Sequence, residues 1–186
     1  DLRKQKPELK VLLSIGGWGS GRFSEMAAND EYRRAFAADC DRVVKEFALD
    51  GIDIDWEYPT SSMANISSSP DDTENFTLLM QDIRAAIGNE KELTLATVAS
   101  ARYIDFKAIL PSVDFVNIMA YDMASAPKHH SALYPSGHSG DITSDGAVTA
   151  HLKAGVPPSK LVMGMPFYGR GGDGYPSFQD YNKVGN

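Results

Sequence analysis

The chain has 186 residues, a formal net charge of −7 and a pI of about 5.0, and 42% of its residues are hydrophobic and 23% charged. This length and composition indicate one globular domain with a substantial core. The acidic balance argues against nucleic acid or an anionic membrane surface as a partner. No apolar run approaches the roughly 20 residues of a membrane span. A single cysteine, Cys40, excludes an internal disulfide, and we expect it to be a small buried side chain of a helix.

The first part of the chain predicts a strand, a turn and a helix. Residues 10–15 form a short apolar run followed by glycines, which predicts a buried strand that ends in a turn. Apolar side chains recur every three or four positions in residues 31–47, which predicts an amphipathic helix. Its apolar stripe would comprise Tyr32, Phe36, Cys40, Val43, Val44 and Phe47, and its candidate caps are Ser24, Asn29 and Asp30.

The stretch 49–59 is the most informative part of the sequence, because apolar and acidic residues alternate along it. The apolar positions are Ile52, Ile54 and Trp56, and the acidic positions are Asp53, Asp55 and Glu57. Such alternation predicts a strand with its three carboxylates on one face, spaced by roughly 7 Å. Like charges repel on an exposed acidic edge strand, so an interior position is favoured. Asp50 has the opposite parity and precedes the strand, so we expect it to anchor the preceding turn.

The remaining elements continue the alternation of helices and strands. Residues 60–72 predict a loop, and a second amphipathic helix would bury Phe76, Leu79, Met80, Ile83 and Ile87 and end at Gly88. Further strands are predicted over residues 93–99, 114–123 and 161–170, with helices over 104–110 and 145–154. The polar loop 124–144 contains His129, His130 and His138, whose spacing fits no zinc site, and another loop is predicted from Gly171 onward. Five strands that alternate with helices predict an α/β protein with a parallel sheet.

Four stretches carry a resemblance to a known family. The run Asp50-x-x-Asp53-x-Asp55-x-Glu57, followed by Tyr58 and Pro59, resembles the catalytic signature of the family 18 glycoside hydrolases, the chitinase family. Ser14-Ile15-Gly16-Gly17 resembles the second signature of that family. Met119-Ala120-Tyr121-Asp122 and residues 161–170 resemble two further barrel strands.

The resemblance implies a (β/α)8 TIM barrel, of which this chain would be an incomplete segment covering about strands 3 to 7. Residues 1–186 would then be part of a single catalytic domain, with strands 1, 2 and 8 absent. A complete barrel needs about 250 residues. Because an open parallel sheet leaves unprotected edges, we expect the isolated segment to be unstable or to aggregate.

The resemblance also implies the activity, which is hydrolysis of β-1,4-linked N-acetylglucosamine polymers, chitin and chitooligosaccharides. The mechanism would be retaining and substrate-assisted. Glu57 would be the general acid/base, Asp55 would bind the acetamido N–H, and Asp53 would share a proton with Asp55. Tyr121 would orient the acetamido carbonyl. Substrate contacts are implied for Asp122, Met119, Met165, Tyr168, Arg170, Trp18 and Tyr58, and structural support for Asp50, Ser14, Gly16 and Gly17.

The mechanism requires no metal or organic cofactor, the substrate is the only partner implied, and we expect a secreted protein. Two alternatives stay open. A chitinase-like lectin keeps the barrel without turnover, although the presence of Glu57 argues against this reading. An endo-acting enzyme that cuts the chitobiose core of N-glycans shares the acidic signature.

Overall fold

The computed structural model describes residues 2–171, in which helices and strands alternate along the chain. The strands are β1 (Leu12–Gly16), β2 (Gly51–Asp55), β3 (Glu92–Val98), β4 (Phe115–Met119) and β5 (Leu161–Met163). The helices are α1 (Leu2–Gln5), α2 (Phe23–Ala28), α3 (Asp30–Glu46), α4 (Asp72–Ile87), α5 (Phe106–Ile109) and α6 (Ser144–Lys153). None of these helices is both long and apolar enough to cross a membrane. The loop predicted from Gly171 onward lies almost wholly outside the described residues.

The five strands form one sheet in the order β1-β2-β3-β4-β5. Strands β1 and β2 pair in parallel, with Ser14 opposite Asp53 and Gly16 opposite Asp55. Strands β2 and β3 also pair in parallel, with Asp53 opposite Thr94. Parallel strands joined by helices confirm the predicted α/β class.

Two compact units can be distinguished within the described residues. The first comprises residues 2–96 and 103–116, and the second comprises residues 97–102 and 117–171. In the first unit Ile52 and Ile54 of β2 and Leu93 and Leu95 of β3 are fully buried. The buried apolar side chains of α4 are the five predicted ones, Phe76, Leu79, Met80, Ile83 and Ile87. Gly88 ends α4 with a φ of 76°, a conformation that glycine adopts without steric cost.

The predicted apolar stripe of α3 is wrong in part. The helix begins as predicted at the cap Asn29, whose side chain accepts the Tyr32 N–H, but Tyr32 and Phe47 are 58% and 63% exposed. Arg33 is buried instead, because its guanidinium pairs with Asp82 at 3.0 Å where α3 packs on α4. The other buried positions of α3 are Ala37, Cys40 and Val44. Burial confirms the expectation for Cys40 and raises the pKa of its thiol to about 12.

In the second unit a small core forms between β4 and α6 and includes Ile118, Ala120 and Ala147. Strand β4 is shorter than predicted, because Ala120 N–H turns back to donate to the Ile118 carbonyl at 2.9 Å. Strand β5 is also shorter than predicted, since it ends at Met163. Pro166, three residues later, has no N–H to donate to a sheet.

Candidate active site

Asp53 is held by hydroxyl groups on both neighbouring strands. Ser14 Oγ of β1 donates to Asp53 Oδ2 at 2.7 Å, and Thr94 Oγ1 of β3 donates to Asp53 Oδ1 at 2.6 Å. The strand register places both hydroxyls directly opposite Asp53. Each carboxylate oxygen therefore has a fixed donor, and the side chain lies between the two strands.

Asp55 has a different environment, although it lies only two residues further along the same face. Its Oδ1 is buried and has no hydrogen-bond partner among the described residues. Burial, with the negative charges of Glu57 and Asp53, raises the pKa of Asp55 from its ordinary 3.8 to about 7. Asp55 can therefore gain or lose a proton near neutral pH.

The glycines after β1 allow the backbone of Asp55 to be approached closely. Gly16 has a φ of 130°, and a Cβ at this position would lie 1.9 Å from the Asp55 carbonyl oxygen. Gly17 N–H donates to the same oxygen at 2.8 Å. The end of β1 is thus fixed against the end of β2, which requires a residue without a side chain at position 16.

Glu57 lies two residues beyond the end of β2, so the strand is shorter than the alternation predicts. Trp56, which lies between the end of β2 and Glu57, is buried. Its ring centroid is 5.4 Å from that of Phe23 and 5.5 Å from that of Phe76. This packing fixes the chain immediately before Glu57. The side chain of Glu57 is partly exposed and can reach a ligand.

An aromatic surface adjoins Glu57. Burial first, then the charge of Glu57 and a hydrogen bond with its side chain, raise the pKa of Tyr58. The Tyr58 ring stacks on Tyr103 with centroids 5.4 Å apart and planes at 15°, and Trp18 meets Tyr58 edge-on at 6.5 Å. Trp18 is 61% exposed. The exposed Trp18 ring, with the partly buried Tyr58 ring next to it, offers an apolar surface to a flat ligand.

Asp50 lies at the opposite end of β2 and has no part in this surface. Its Oδ2 accepts the Val11 N–H at 2.7 Å and pairs with Arg3 at 2.7 Å. The Val11 N–H is the main cause that holds the pKa of Asp50 below its ordinary value, despite an opposing effect of burial. Asp50 therefore joins the beginnings of the first two strands.

The second unit brings Asp122 together with two residues from distant positions. Tyr168 O–H donates to Asp122 Oδ1 at 2.8 Å, and Arg170 Nη1 lies 3.4 Å from the same oxygen. Tyr121 packs edge-on against the Tyr168 ring at 6.2 Å. Burial first, then the bond to Asp122, raise the pKa of Tyr168, which keeps its hydroxyl protonated. Met165 is 65% exposed in the same unit, and Met119 ends β4.

Sequence reasoning placed His130 only on a loop, whereas the structure places it against Asp122. The Asp122 N–H donates to His130 Nδ1 at 3.1 Å, and the imidazole centroid lies 5.2 Å from that of Tyr168. His130, Tyr168 and Arg170 line a cavity of about 500 Å³. No local sequence pattern marks His130, because its partner is eight residues away in an irregular loop. Within the described residues, no group of His, Cys, Asp or Glu could hold a metal ion.

Parallel strands that alternate with helices and carry acidic and aromatic side chains at their carboxyl ends are the arrangement found in α/β proteins of the TIM-barrel class. Within that class the chain belongs to the glycosyl hydrolases family 18, whose sequence profile matches residues 1–182. The resemblance on which the sequence prediction depends is therefore confirmed.

Solved structures agree with this assignment and confirm the predicted fold class. The chitinase domain of the spore coat protein CotE from Clostridium difficile matches with a TM-score of 0.93 and 39% identity, over 98% of this chain and 56% of that one. A glycoside hydrolase family 18 N-acetylglucosaminidase from Paenibacillus barengoltzii matches with a TM-score of 0.89 and 36% identity, over 98% of this chain and 63% of that one.

Curated relatives are much longer than this chain. Chitinase A1 from Niallia circulans is 38% identical over 93% of this chain and 28% of its own length. Chitotriosidase-1 from Mus musculus is 37% identical over 91% of this chain and 40% of its own length. The chain thus spans less than half the length of these two relatives.

Proposed function

We propose that the protein containing this chain hydrolyses β-1,4-linked N-acetylglucosamine polymers, namely chitin and chitooligosaccharides. The observation that carries the proposal is the contrast along β2. Asp53 has a donor on each oxygen, whereas Asp55, two residues before Glu57, has a raised pKa and a buried oxygen with no hydrogen-bond partner among the described residues. The names of two relatives, Chitinase A1 and Chitotriosidase-1, agree with this class of substrate. A further match, an Ostrinia furnacalis chitinase at a TM-score of 0.82, is a complex with allosamidin.

The mechanism we propose is the substrate-assisted one, in which the substrate supplies the nucleophile. Glu57 donates its proton to the glycosidic oxygen, and the bond from that oxygen to the anomeric carbon breaks. The acetamido oxygen of the same sugar bonds to the anomeric carbon and closes a cyclic intermediate. Ionised Glu57 then takes a proton from water, whose oxygen attacks the anomeric carbon and reopens the ring. Two displacements at one carbon retain its configuration.

Asp55 serves the acetamido group in this proposal. Its carboxylate can accept the acetamido N–H, and its negative charge stabilises the positive charge that develops on the cyclised group. Because the pKa of Asp55 is raised to about 7, the group is partly protonated at neutral pH. A neighbouring group that takes its proton would give Asp55 the negative charge that this role requires. Asp53 can do so by sharing a proton with Asp55, as a coupled pair of carboxyl groups. No metal or organic cofactor takes part.

The remaining residues bind and orient the sugar. Tyr121 directs the acetamido carbonyl toward the anomeric carbon, and exposed Trp18 with Tyr58 offers aromatic surface to sugar rings. The other proposed substrate contacts are Asp122, Met119, Met165, Tyr168 and Arg170. We further propose that the chain is part of a single catalytic barrel domain of a secreted protein, since an extracellular polymer must be met outside the cell.

Glu57→Gln in the full-length protein tests the proposal. The amide keeps the shape of the side chain but cannot protonate the leaving oxygen, so kcat on a fluorogenic chitobioside should fall by at least about 10³-fold. Binding of chitooligosaccharide should change little. Glu46→Gln is the matched control, because this α3 glutamate pairs with Arg42 on the surface and should leave turnover unchanged. Near-normal turnover of the Glu57 variant would refute the assignment.

Assays of the wild-type protein on chitooligosaccharide and on a high-mannose glycopeptide separate the two alternative functions. A chitinase-like lectin would bind chitooligosaccharide but show no turnover in the wild-type protein. An endo-acting N-glycan enzyme would release high-mannose glycan from a glycopeptide faster than it cleaves chitin. We expect chitin turnover to be the faster reaction.

A further inference from the structure

Asp72 is a fully buried carboxylate in the first turn of α4. Three donors reach it from three parts of the first unit. Ser24 Oγ donates to Oδ1 at 2.7 Å, while the Thr60 N–H and the Ser69 N–H donate to Oδ2 at 3.0 and 2.8 Å. A buried charge is unfavourable unless such donors surround it. Asp72 is thus a fixed point that joins α2 to both ends of the loop after Glu57.

The contact with Thr60 acts close to the proposed acid. Thr60 follows Glu57 by three residues and has a φ of 62°, in the left-handed region. A residue with a Cβ is disfavoured there, so it requires support from its surroundings. Asp72 gives that support, because its carboxylate accepts the Thr60 N–H.

Thr73, the next residue of α4, supports Tyr58 through Tyr103. Thr73 Oγ1 donates to the Tyr103 carbonyl at 3.0 Å, and Tyr103 is also left-handed, with a φ of 73°. The Tyr103 ring stacks on Tyr58, which directly follows Glu57 in the chain and whose pKa is raised by burial and by the neighbouring Glu57 side chain. Two consecutive residues of α4 therefore hold the chain after Tyr58 and the ring that packs on it.

We propose that Asp72 is a positioning residue which, with Thr73, fixes Tyr58 and through it the carboxyl group of Glu57. The inference rests on the proposed role of Glu57 as general acid/base. A general acid must lie within hydrogen-bond reach of the leaving oxygen, and a displacement of about 1 Å can cost roughly 10²-fold in rate. A residue that positions the acid without touching substrate should therefore change kcat much more than KM.

The test compares four variants of the full-length protein on a fluorogenic chitobioside. Asp72→Ala should lower kcat about 10- to 100-fold with KM within about threefold, and Thr73→Val should lower kcat several-fold for the same reason. Asp72→Asn should stay within about fivefold of wild type, because its amide oxygen can still accept both N–H groups and its NH₂ can donate to Ser24. Asp114→Asn is the control.

Asp114 is a suitable control because its carboxylate also accepts a backbone N–H in the first unit, at a place distant in sequence from Glu57. It accepts the Leu93 N–H at 2.7 Å and pairs with Arg84 at 2.5 Å, at the amino ends of β3 and β4. Asp114→Asn should lower the thermal unfolding temperature but leave kcat within about twofold of wild type. If kcat fell in both Asp72→Ala and Asp114→Asn, general destabilisation of the protein would explain the loss of kcat. That result would overturn the proposal.

A folded Asp72→Ala protein with wild-type kcat would also overturn the inference. If Asp72→Ala does not fold, Thr73→Val tests the positioning role instead, because this substitution removes one hydroxyl group and keeps nearly the same side-chain volume. Wild-type kcat in Thr73→Val would then refute the positioning role. If the proposed function itself is wrong, the kinetic results will differ from these. Either Glu57→Gln will be as active as the wild-type protein, or the wild-type protein will show no turnover.

Discussion

Asp55→Asn should make the full-length protein more stable at neutral pH. The folded state raises the pKa of Asp55 from 3.8 to about 7, chiefly by burial. Between these two pH values the folded protein keeps a proton on Asp55 that the unfolded chain releases. Raising the pH through this window therefore lowers the stability of the wild-type protein, and above pH 7 the full cost of a buried carboxylate is present. Asparagine has a similar shape and never carries that charge.

The size of the effect follows from the pKa. The folded and ordinary pKa values, about 7 and 3.8, differ by roughly three, and each pKa unit corresponds to about 1.4 kcal/mol, so the ceiling is about 4 kcal/mol. Asp55 is partly rather than fully buried, and solvent can relax around it. We therefore expect Asp55→Asn to add about 2 to 4 kcal/mol to the free energy of unfolding at pH 8. The gain should be small near pH 3.5, where the carboxyl group is largely protonated in both states.

Urea unfolding of wild type and variant between pH 3.5 and 8 measures this difference. Asp50→Asn on the same segment is a control of opposite sign, because the Val11 N–H holds the pKa of Asp50 below its ordinary value. That variant should be less stable than wild type above pH 4, and the deficit should shrink as the pH falls through the folded-state pKa. A stability difference for Asp55→Asn that does not change with pH would refute the reasoning, since an uncharged packing effect has no such dependence.

Two further predictions concern His151 and Gly16. His151 is buried, with Nε2 3.1 Å from Thr97 Oγ1, and burial lowers its pKa. Stability should therefore fall as the pH drops below the ordinary 6.5, and His151→Gln should flatten this acid limb in urea unfolding; an unchanged limb would contradict the role of His151. Gly16→Ala should yield no soluble folded protein on expression, because its Cβ would lie 1.9 Å from the Asp55 oxygen. Gly17→Ala, with a φ of 97° but open space around it, should fold with a loss of roughly 1 to 2 kcal/mol. Equal yields of the two variants would contradict the steric argument.

Elements with strong periodicity could be predicted from the sequence. The α4 stripe and the cap Asn29 follow from local rules, and both are present in the structure. The alternation along β2 separates the isoleucines from the acids, and in the structure Ile52 and Ile54 are buried while Asp53 and Asp55 are only partly buried. The strand ends could not be predicted as well, because the apolar runs continue past Met119 and Met163. A hydrogen-bonded turn after Met119 ends β4, and no change in composition marks it.

Contacts between distant residues could not be predicted. Arg33 is buried because Asp82 lies opposite it on another helix, and periodicity treats arginine as a surface residue. Asp72 is a standard helix-start residue in the sequence, whereas in the structure it accepts hydrogen bonds from residues up to 48 positions away. His130 likewise has no local pattern. Such roles depend on which elements pack together, and the sequence of one element does not contain that information.

The acids of the 50–57 segment differ in how many donors surround them, and this difference explains how similar side chains can have separate roles. Asp50 has a backbone N–H and Arg3, and Asp53 has two hydroxyls, so these carboxylates are satisfied within the protein. Asp55 keeps a buried oxygen without a donor among the described residues and has a pKa near 7. On the proposed function, the substrate's acetamido N–H donates to the Asp55 carboxylate. If a protein side chain donated a hydrogen bond to Asp55 instead, its ionised carboxylate would already be stabilised in the free protein. Binding of the substrate would then stabilise that carboxylate less.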